Sequence, residues 1–233
     1  MTKDNPDQGK RSRISRRTLV GGTAAAAAML GTASLGQAAP TTQNRTFSRL
    51  QSDGPSIIIG TLGEAQTINP FLTNESEGDW RCKMLFDEFV RANALTYAPE
   101  PGLAESWTVE DLTFTFTIRE NSTFSDGSDV TAADVAFTIK GHIATDTASP
   151  RQVKFLSIAG AQEYADGSAE DVSGIEAVDA KTLRISLAQP DAPFLYNMRY
   201  IFVVPAAALE GKSLTDDEFF QAPVGAGPYV FES

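Results

Sequence analysis

The sequence predicts a mixed α/β fold, and three stretches support that prediction. Residues 112–119 alternate apolar and polar side chains, which is typical of a strand with one buried face. Thr131 is followed three residues later by Asp134, a variant of the capping box that begins helices. Residues 201–204 form a continuous apolar run ended by Pro205, as expected of a buried strand. The chain therefore combines strands with helices that pack on them.

The remaining elements follow from the same periodicities. We predict a strand at 57–59, helices at 79–90 and 155–165, a hairpin with arms 172–178 and 182–187, and a short helix through 194–198. Turns are predicted at 99–102, 126–127 and 225–228, where glycine and proline are concentrated. In the helix that Thr131 begins, Val135 and Ile139 form the face expected to be buried.

Residues 1–38 are expected to be an export signal. Arg16 and Arg17 precede a weakly apolar run rich in glycine and alanine, which is typical of a twin-arginine (Tat) signal peptide. A membrane anchor is the alternative, but the run falls short of the roughly 20 strongly apolar residues that a span needs. Small residues before position 39 predict cleavage after Ala38, and the polar residues 39–55 are expected to form a flexible linker.

Charge excludes one class of partner. The net charge is −11, and because residues 1–38 hold six basic and two acidic residues, it is −15 without them. An acidic domain without a cluster of Lys and Arg lacks the electrostatic footprint of a nucleic-acid-binding protein. We therefore expect no nucleic-acid partner.

Few residues could support catalysis. Cys82 is the single cysteine, so it forms no internal disulfide, and it is expected to be a small, packed residue on the helix predicted at 79–90. His142 is the single histidine and is expected to be a capping or surface residue at a helix end. No carboxylate pair or metal-ligand spacing stands out, so we predict neither an enzyme nor a bound cofactor or metal.

Six motifs resemble one protein family. They are Thr67–Phe71, Ala104–Trp107, Phe114–Arg119, Phe124–Gly127, Thr131–Val135 and Val224–Tyr229, in that order. Together they resemble the extracytoplasmic solute-binding proteins of ABC importers, in the branch that binds peptides, nickel and related solutes. The resemblance covers residues 57–231.

The resemblance implies a two-lobed periplasmic-binding-protein fold of the large class II type, which carries an extra subdomain. Residues 56–86 and 206–233 would belong to the core of the first lobe, and residues 87–205 would form the extra α/β subdomain. Proteins of this family continue into a second lobe, so we expect the sequence to be truncated before that lobe.

The resemblance also implies a solute site. Carried onto this chain, the loop 71–76 would line the first lobe, with Asn74 and Ser76 as ligand contacts. Arg151 stands where peptide-binding relatives can carry an aromatic residue, and its guanidinium could pair with a solute carboxylate. The alternative is that Arg151 is a surface residue. The implied partners are a small solute (oligopeptide-like, an opine or a metal complex), an ABC permease in the membrane, and the Tat export machinery.

Two other functions stay open at this stage. A secreted hydrolase would depend on His142 or Cys82. A short secreted interaction protein would never have had a second lobe. The periplasmic or extracytoplasmic location, by the Tat pathway, is shared by all three hypotheses.

Overall fold

The computed structural model describes residues 59–215 and 217–232. The predicted signal peptide and linker lie outside the described residues, as do Ile57 and Ile58 of the first predicted strand. Ile59 is 42% exposed and belongs to no strand, so the prediction of a buried strand is wrong at that residue. Within the described ranges, no helix is both long enough and apolar enough to cross a membrane.

Six strands form two antiparallel sheets in the described part of the chain. They are β1 (Val90–Ala92), β2 (Pro99–Pro101), β3 (Ala104–Glu110), β4 (Thr113–Ile118), β5 (Ile175–Ala177) and β6 (Thr182–Ser186). β1 pairs with β2, and the other four follow the order β3-β4-β6-β5. β4 is the predicted alternating strand: Phe116 and Ile118 are buried, whereas Thr117 is exposed. β5 and β6 form the predicted hairpin.

The described ranges contain six α-helices, of which only two are longer than five residues. They are α1 (Ser76–Phe86), α2 (Ala132–Ile143), α3 (Ala161–Ala165), α4 (Phe194–Asn197), α5 (Ala206–Leu209) and α6 (Asp217–Gln221). The same described ranges hold 3₁₀ turns at Thr145–Thr147, Gln152–Lys154 and Met198–Tyr200. α2 begins with the predicted capping box, and its Val135 and Ile139 are fully buried.

α1 ends earlier than the predicted helix 79–90. Asp87 follows the last turn with a φ of 59°, and its carboxylate accepts hydrogen bonds from Arg91 four residues later. The chain therefore leaves the helix at Phe86 and enters β1. Trp80 is 38% exposed, so it does not lie on the buried face that the spacing predicted.

β2 stands where only a turn was predicted. It consists of Pro99, Glu100 and Pro101, and each pairs with a residue of β1. Proline lacks a backbone N–H, but the edge position of a two-stranded ribbon tolerates it.

Only the last part of the predicted helix 155–165 is an α-helix. A 3₁₀ turn at Gln152–Lys154 comes first, and α3 begins only at Ala161. Between them Gly160 has a φ of 77°, and a Cβ at this position would meet Ser173. Since a non-glycine residue is strained at such a φ, the break depends on Gly160. The predicted end at Asp166 and Gly167 is confirmed.

Two hydrophobic clusters are connected by residues 201–204. The larger cluster lies between the four-stranded sheet and α2, and the smaller contains Phe71, Phe86 and Phe220. Residues 201–204 alternate between the two: Ile201 and Val203 belong to the larger cluster, Phe202 and Val204 to the smaller. The run is fully buried as predicted, but in the described residues its ladder pairing is limited to an isolated bridge between Glu88 and Phe202.

Candidate functional site

The loop before α1 is held by Asn69. Its side-chain oxygen accepts a hydrogen bond from the Phe71 amide at 3.0 Å, and its side-chain nitrogen donates to the Leu214 carbonyl at 2.9 Å. Phe71 is fully buried in the smaller cluster. The backbone that leads to Asn74 and Ser76 is therefore held in place. Asn74 and Ser76, the predicted ligand contacts, are both exposed.

The N-terminal end of α1 is already occupied by a carboxylate of the chain. Glu75 accepts hydrogen bonds from the amides of Glu77 and Gly78, each at 2.8 Å. These are the donors that an anionic ligand would use at a helix N-terminus. A solute beside Ser76 would therefore meet hydroxyl and amide side chains rather than free helix amides.

Arg151 is buried, so its interpretation as a surface residue is wrong. Only 3% of the residue is exposed. One of its terminal nitrogens, Nη2, forms an ion pair with Asp79, whose side chain is 21% exposed. Asp79 also accepts a hydrogen bond from the Thr73 hydroxyl at 3.3 Å. This chain of contacts links Arg151 to the loop that carries Asn74.

The rest of the Arg151 guanidinium faces aromatic rings. Its Cζ lies 4.7 Å from the centroid of Tyr200 and 5.8 Å from that of Phe202. Its Nη1 is buried and has no hydrogen-bond partner among residues 59–215 and 217–232. Nη2 is held by Asp79, so a bidentate pair with a solute carboxylate would require Asp79 to move. Donation from Nη1 alone would not.

His142 is also buried, which corrects the expectation of a capping or surface residue. Its Nδ1 lies 2.8 Å from the Ser149 hydroxyl, and its ring packs against Phe71 and Phe155 with centroids 5.1 and 5.6 Å away. Burial, assisted by the positive charge of Arg151, lowers the pKa of His142 to about 3. The imidazole is therefore neutral at physiological pH.

Cys82 and His142, the two residues on which the hydrolase alternative depends, lack the required chemistry. Cys82 is fully buried, as predicted, with its thiol 3.4 Å from the Ile68 carbonyl, and burial raises the pKa of that thiol. His142 and Ser149 are paired, but an imidazole with so low a pKa is a weak general base. No group of three potential metal ligands lies in the described residues.

Sequence reasoning missed Asp79 and Tyr200, the two side chains that position Arg151. Asp79 is 72 residues from Arg151 along the chain, and no local spacing links them. Tyr200 did carry a signal, because Tyr196, Arg199 and Tyr200 repeat aromatic and cationic residues at helical spacing.

Comparison with known proteins assigns the family. Residues 98–233 match the model of the bacterial extracellular solute-binding proteins, family 5 Middle. The chain belongs to this family. The periplasmic oligopeptide-binding protein OppA of Escherichia coli (strain K12) is 30% identical to it over 206 residues, which are 84% of this chain and 36% of OppA.

Solved structures of family 5 proteins share the fold. The Escherichia coli murein tripeptide binding protein MppA is 31% identical, with a TM-score of 0.63 over 73% of this chain and 34% of its own. NikZ from Campylobacter jejuni, in complex with Ni(L-His), is 25% identical, with a TM-score of 0.60 over 73% of this chain and 31% of its own. The chain thus spans about a third of the length of these relatives and has the α/β fold of the corresponding part.

Proposed function

We propose that the chain is the extracytoplasmic solute-binding component of an ABC importer, which captures a peptide-like or related small solute and delivers it to a membrane permease. Membership of family 5 carries this proposal. The names of its relatives favour an oligopeptide as the solute, and the NikZ complex supports a metal complex as a second candidate. An opine is a third candidate.

The proposed solute contacts are Asn74, Ser76 and Arg151. Asn74 is exposed on the loop whose backbone is fixed by Asn69, and Ser76 is exposed at the first residue of α1, so their polar groups are available without unfolding. Arg151 differs, because its free Nη1 is buried and a solute reaches it only if the side chains that cover it move. Two contacts are thus preformed and one depends on a rearrangement.

The domain assignment is also a proposal. Residues 56–86 and 206–233 would belong to the first lobe and residues 87–205 to the extra subdomain. Five of the seven described residues buried in the smaller cluster support it, since Phe71, Cys82 and Phe86 pack there with Leu209 and Phe220. The other two, Phe202 and Val204, lie within residues 87–205.

Binding is tested by calorimetry on the native protein at the length that cells produce. Trialanine, octopine and a Ni(II)–histidine complex serve as probes of the three solute classes. At least one should bind and raise the melting temperature, because a ligand that binds only the folded state stabilises it. No binding and no thermal shift with all three would contradict the proposal.

Paired substitutions locate the contacts. Asn74→Ala with Ser76→Ala should weaken binding of the active probe about tenfold, as expected for the loss of two hydrogen bonds. Asn121→Ala with Ser125→Ala is the matched control, because both residues are exposed and outside the loop 71–76. Equal affinities in the two double variants would place the solute elsewhere.

The hydrolase alternative has a separate test. We propose that the protein is not an enzyme, since Cys82 and His142 are buried and neutral. Hydrolysis of a panel of peptide and ester substrates that disappears in Cys82→Ala or His142→Asn would contradict this. The interaction-protein alternative instead predicts stable complexes with a macromolecule and no solute binding.

Export by the Tat pathway to the periplasm is proposed from Arg16 and Arg17. Replacing both with lysine should retain the precursor inside the cell, whereas Arg11→Lys with Arg13→Lys should not. Fractionation and intact mass measure this, and a mature protein beginning at Ala39 would confirm cleavage after Ala38. Normal export of the Arg16→Lys, Arg17→Lys variant would exclude a Tat signal.

A further inference from the structure

Three cationic side chains surround the ring of Tyr200. The Cζ of Arg151 lies 4.7 Å from the ring centroid, the Nζ of Lys154 5.0 Å and the Cζ of Arg199 4.8 Å. We call these three residues the Tyr200 cation cluster. No two of the charges are more than about 10 Å apart, roughly the Debye length at 0.1 M salt, so their mutual repulsion is poorly screened.

The cluster carries more positive charge than its neighbours neutralise. Asp79 pairs with Arg151, but within the described part of the chain neither Lys154 nor Arg199 forms a salt bridge. Glu88 interacts electrostatically with Arg199, but its ion pair at 3.1 Å is with Lys83. Three cations thus meet at one ring in a protein whose net charge is −11.

Two hydrogen-bond donors of the cluster are buried and unused. They are Nη1 of Arg151 and Nε of Arg199, for which residues 59–215 and 217–232 provide no acceptor. A buried donor without an acceptor is destabilising, and more so when it is charged. Cation–π contacts with one ring stabilise the cations, but they leave the N–H donors in need of an acceptor. Packing on Tyr200 alone therefore does not account for the arrangement.

We propose that the Tyr200 cation cluster binds a carboxylate of the captured solute that is distinct from the C-terminal carboxylate of a peptide. Lys154 and Arg199, which are half-buried, would contact the carboxylate, and the more deeply buried Arg151 would donate from Nη1 once the side chains that cover it move. A carboxylate supplies the acceptors and the negative charge that the cluster lacks. The proposal rests on the proposed function in taking the ligand to be the imported solute. It narrows the solute to an acidic one, such as a peptide with an acidic side chain.

The specificity is tested with two matched tripeptides, Ala-Glu-Ala and Ala-Gln-Ala, by calorimetry on the native protein. They differ by one carboxylate, so the Glu peptide should bind at least about tenfold more tightly, the effect of one charge-assisted hydrogen bond. Lys154→Gln and Arg199→Gln should each reduce that preference, because they weaken binding of Ala-Glu-Ala more than binding of Ala-Gln-Ala. Lys212→Gln, which makes the same charge change at an exposed residue, should preserve it. Equal affinity for the two peptides would overturn the acidic specificity.

A second probe separates this inference from peptide binding. At constant ionic strength, succinate should raise the melting temperature of the native protein more than succinamide, and Lys154→Gln and Arg199→Gln should remove the difference. If this holds while neither tripeptide binds, the carboxylate site stands and the peptide function fails. If the tripeptides bind equally and succinate has no specific effect, the peptide function stands and the carboxylate site is excluded. No effect of any probe contradicts both.

Discussion

At the scale of single residues, the buried ion pair between Asp79 and Arg151 should be highly sensitive to substitution. Asp79→Asn keeps the shape of the side chain but leaves the Arg151 charge buried and uncompensated. We expect a loss of about 3–5 kcal/mol in the free energy of unfolding, measured by urea titration. Glu176→Gln is the control: its pair with Arg184 is 2.7 Å long but its side chain is 59% exposed, so its loss should be below about 1 kcal/mol. Equal losses would show that Arg151 is hydrated in solution.

His142 predicts a pH dependence of stability. Its pKa is about 3 in the folded protein and about 6.5 in an unfolded chain, so between these values the unfolded state binds one more proton. The contribution is complete above pH 6.5 and is lost as the pH falls towards 3. The slope should be at most about 1.4 kcal/mol per pH unit.

His142→Asn isolates that contribution. Asparagine retains a polar group near Nδ1, within reach of Ser149, but does not titrate. The difference in unfolding free energy between native and variant protein should therefore shrink as the pH falls from 6.5 to 4, while the other titrating groups cancel. A difference that stays constant over this range would show that His142 is not buried as a neutral imidazole.

At the scale of elements, α2 is joined to the following chain by Asp134. One oxygen of its carboxylate completes the capping box with Thr131, and the other accepts a hydrogen bond from the Ala206 amide at 2.8 Å. Thr138 extends the link by accepting from the Val204 amide at 3.2 Å. Asp134 and Thr138, which lie one helical turn apart, thus connect the start of α2 to the backbone at 204–206.

Two alanine variants separate the cap from the link. Thr131→Ala should cost about 1 kcal/mol of unfolding free energy, the usual value of an N-cap. Asp134→Ala should cost about 1–3 kcal/mol more, because the Ala206 amide then lacks its acceptor. Thermal and urea unfolding measure both. Equal costs would mean that water replaces Asp134 at Ala206.

The elements predicted from local sequence were those whose determinants lie within a few residues. The alternation of β4, the Thr131–Asp134 cap and the hairpin of β5 and β6 are of this kind, and all three are confirmed. The end of α1 depends on Asp87 pairing with Arg91, and the break before α3 depends on Gly160 fitting against Ser173. The spacing of apolar residues along the sequence predicts neither the end of α1 nor the break before α3.

The candidate site was less predictable because its contacts cross long sequence separations. Asn74 and Ser76 were placed by resemblance and are exposed, as a contact needs to be. The environment of Arg151 depends on Asp79, 72 residues earlier, and on Tyr200, 49 residues later. The sequence of a single chain does not show which charged residues will meet across such distances. It does show that Arg199 and Tyr200 follow Tyr196 at helical spacing, and Arg199 and Tyr200 both belong to the site of the cation cluster.

At the scale of the whole molecule, the described residues should unfold as one unit, because the two hydrophobic clusters share residues 201–204. Side chains of this run alternate between the clusters, so neither can open without exposing the other.

Each cluster has one tryptophan reporter. Trp107 packs against the larger cluster, and Trp80 lies on α1, whose Cys82 and Phe86 pack in the smaller cluster. Single-tryptophan variants, Trp80→Phe and Trp107→Phe, therefore follow each cluster by fluorescence. In urea, we expect coincident midpoints in the two variants once corrected for the effect of each substitution by circular dichroism. Phe202→Ala, added to either variant, should lower both midpoints together by the equivalent of about 3–5 kcal/mol. Leu95→Ala, at a side chain that is 90% exposed, should lower neither. Two separated midpoints would instead show that residues 87–205 unfold as an independent subdomain.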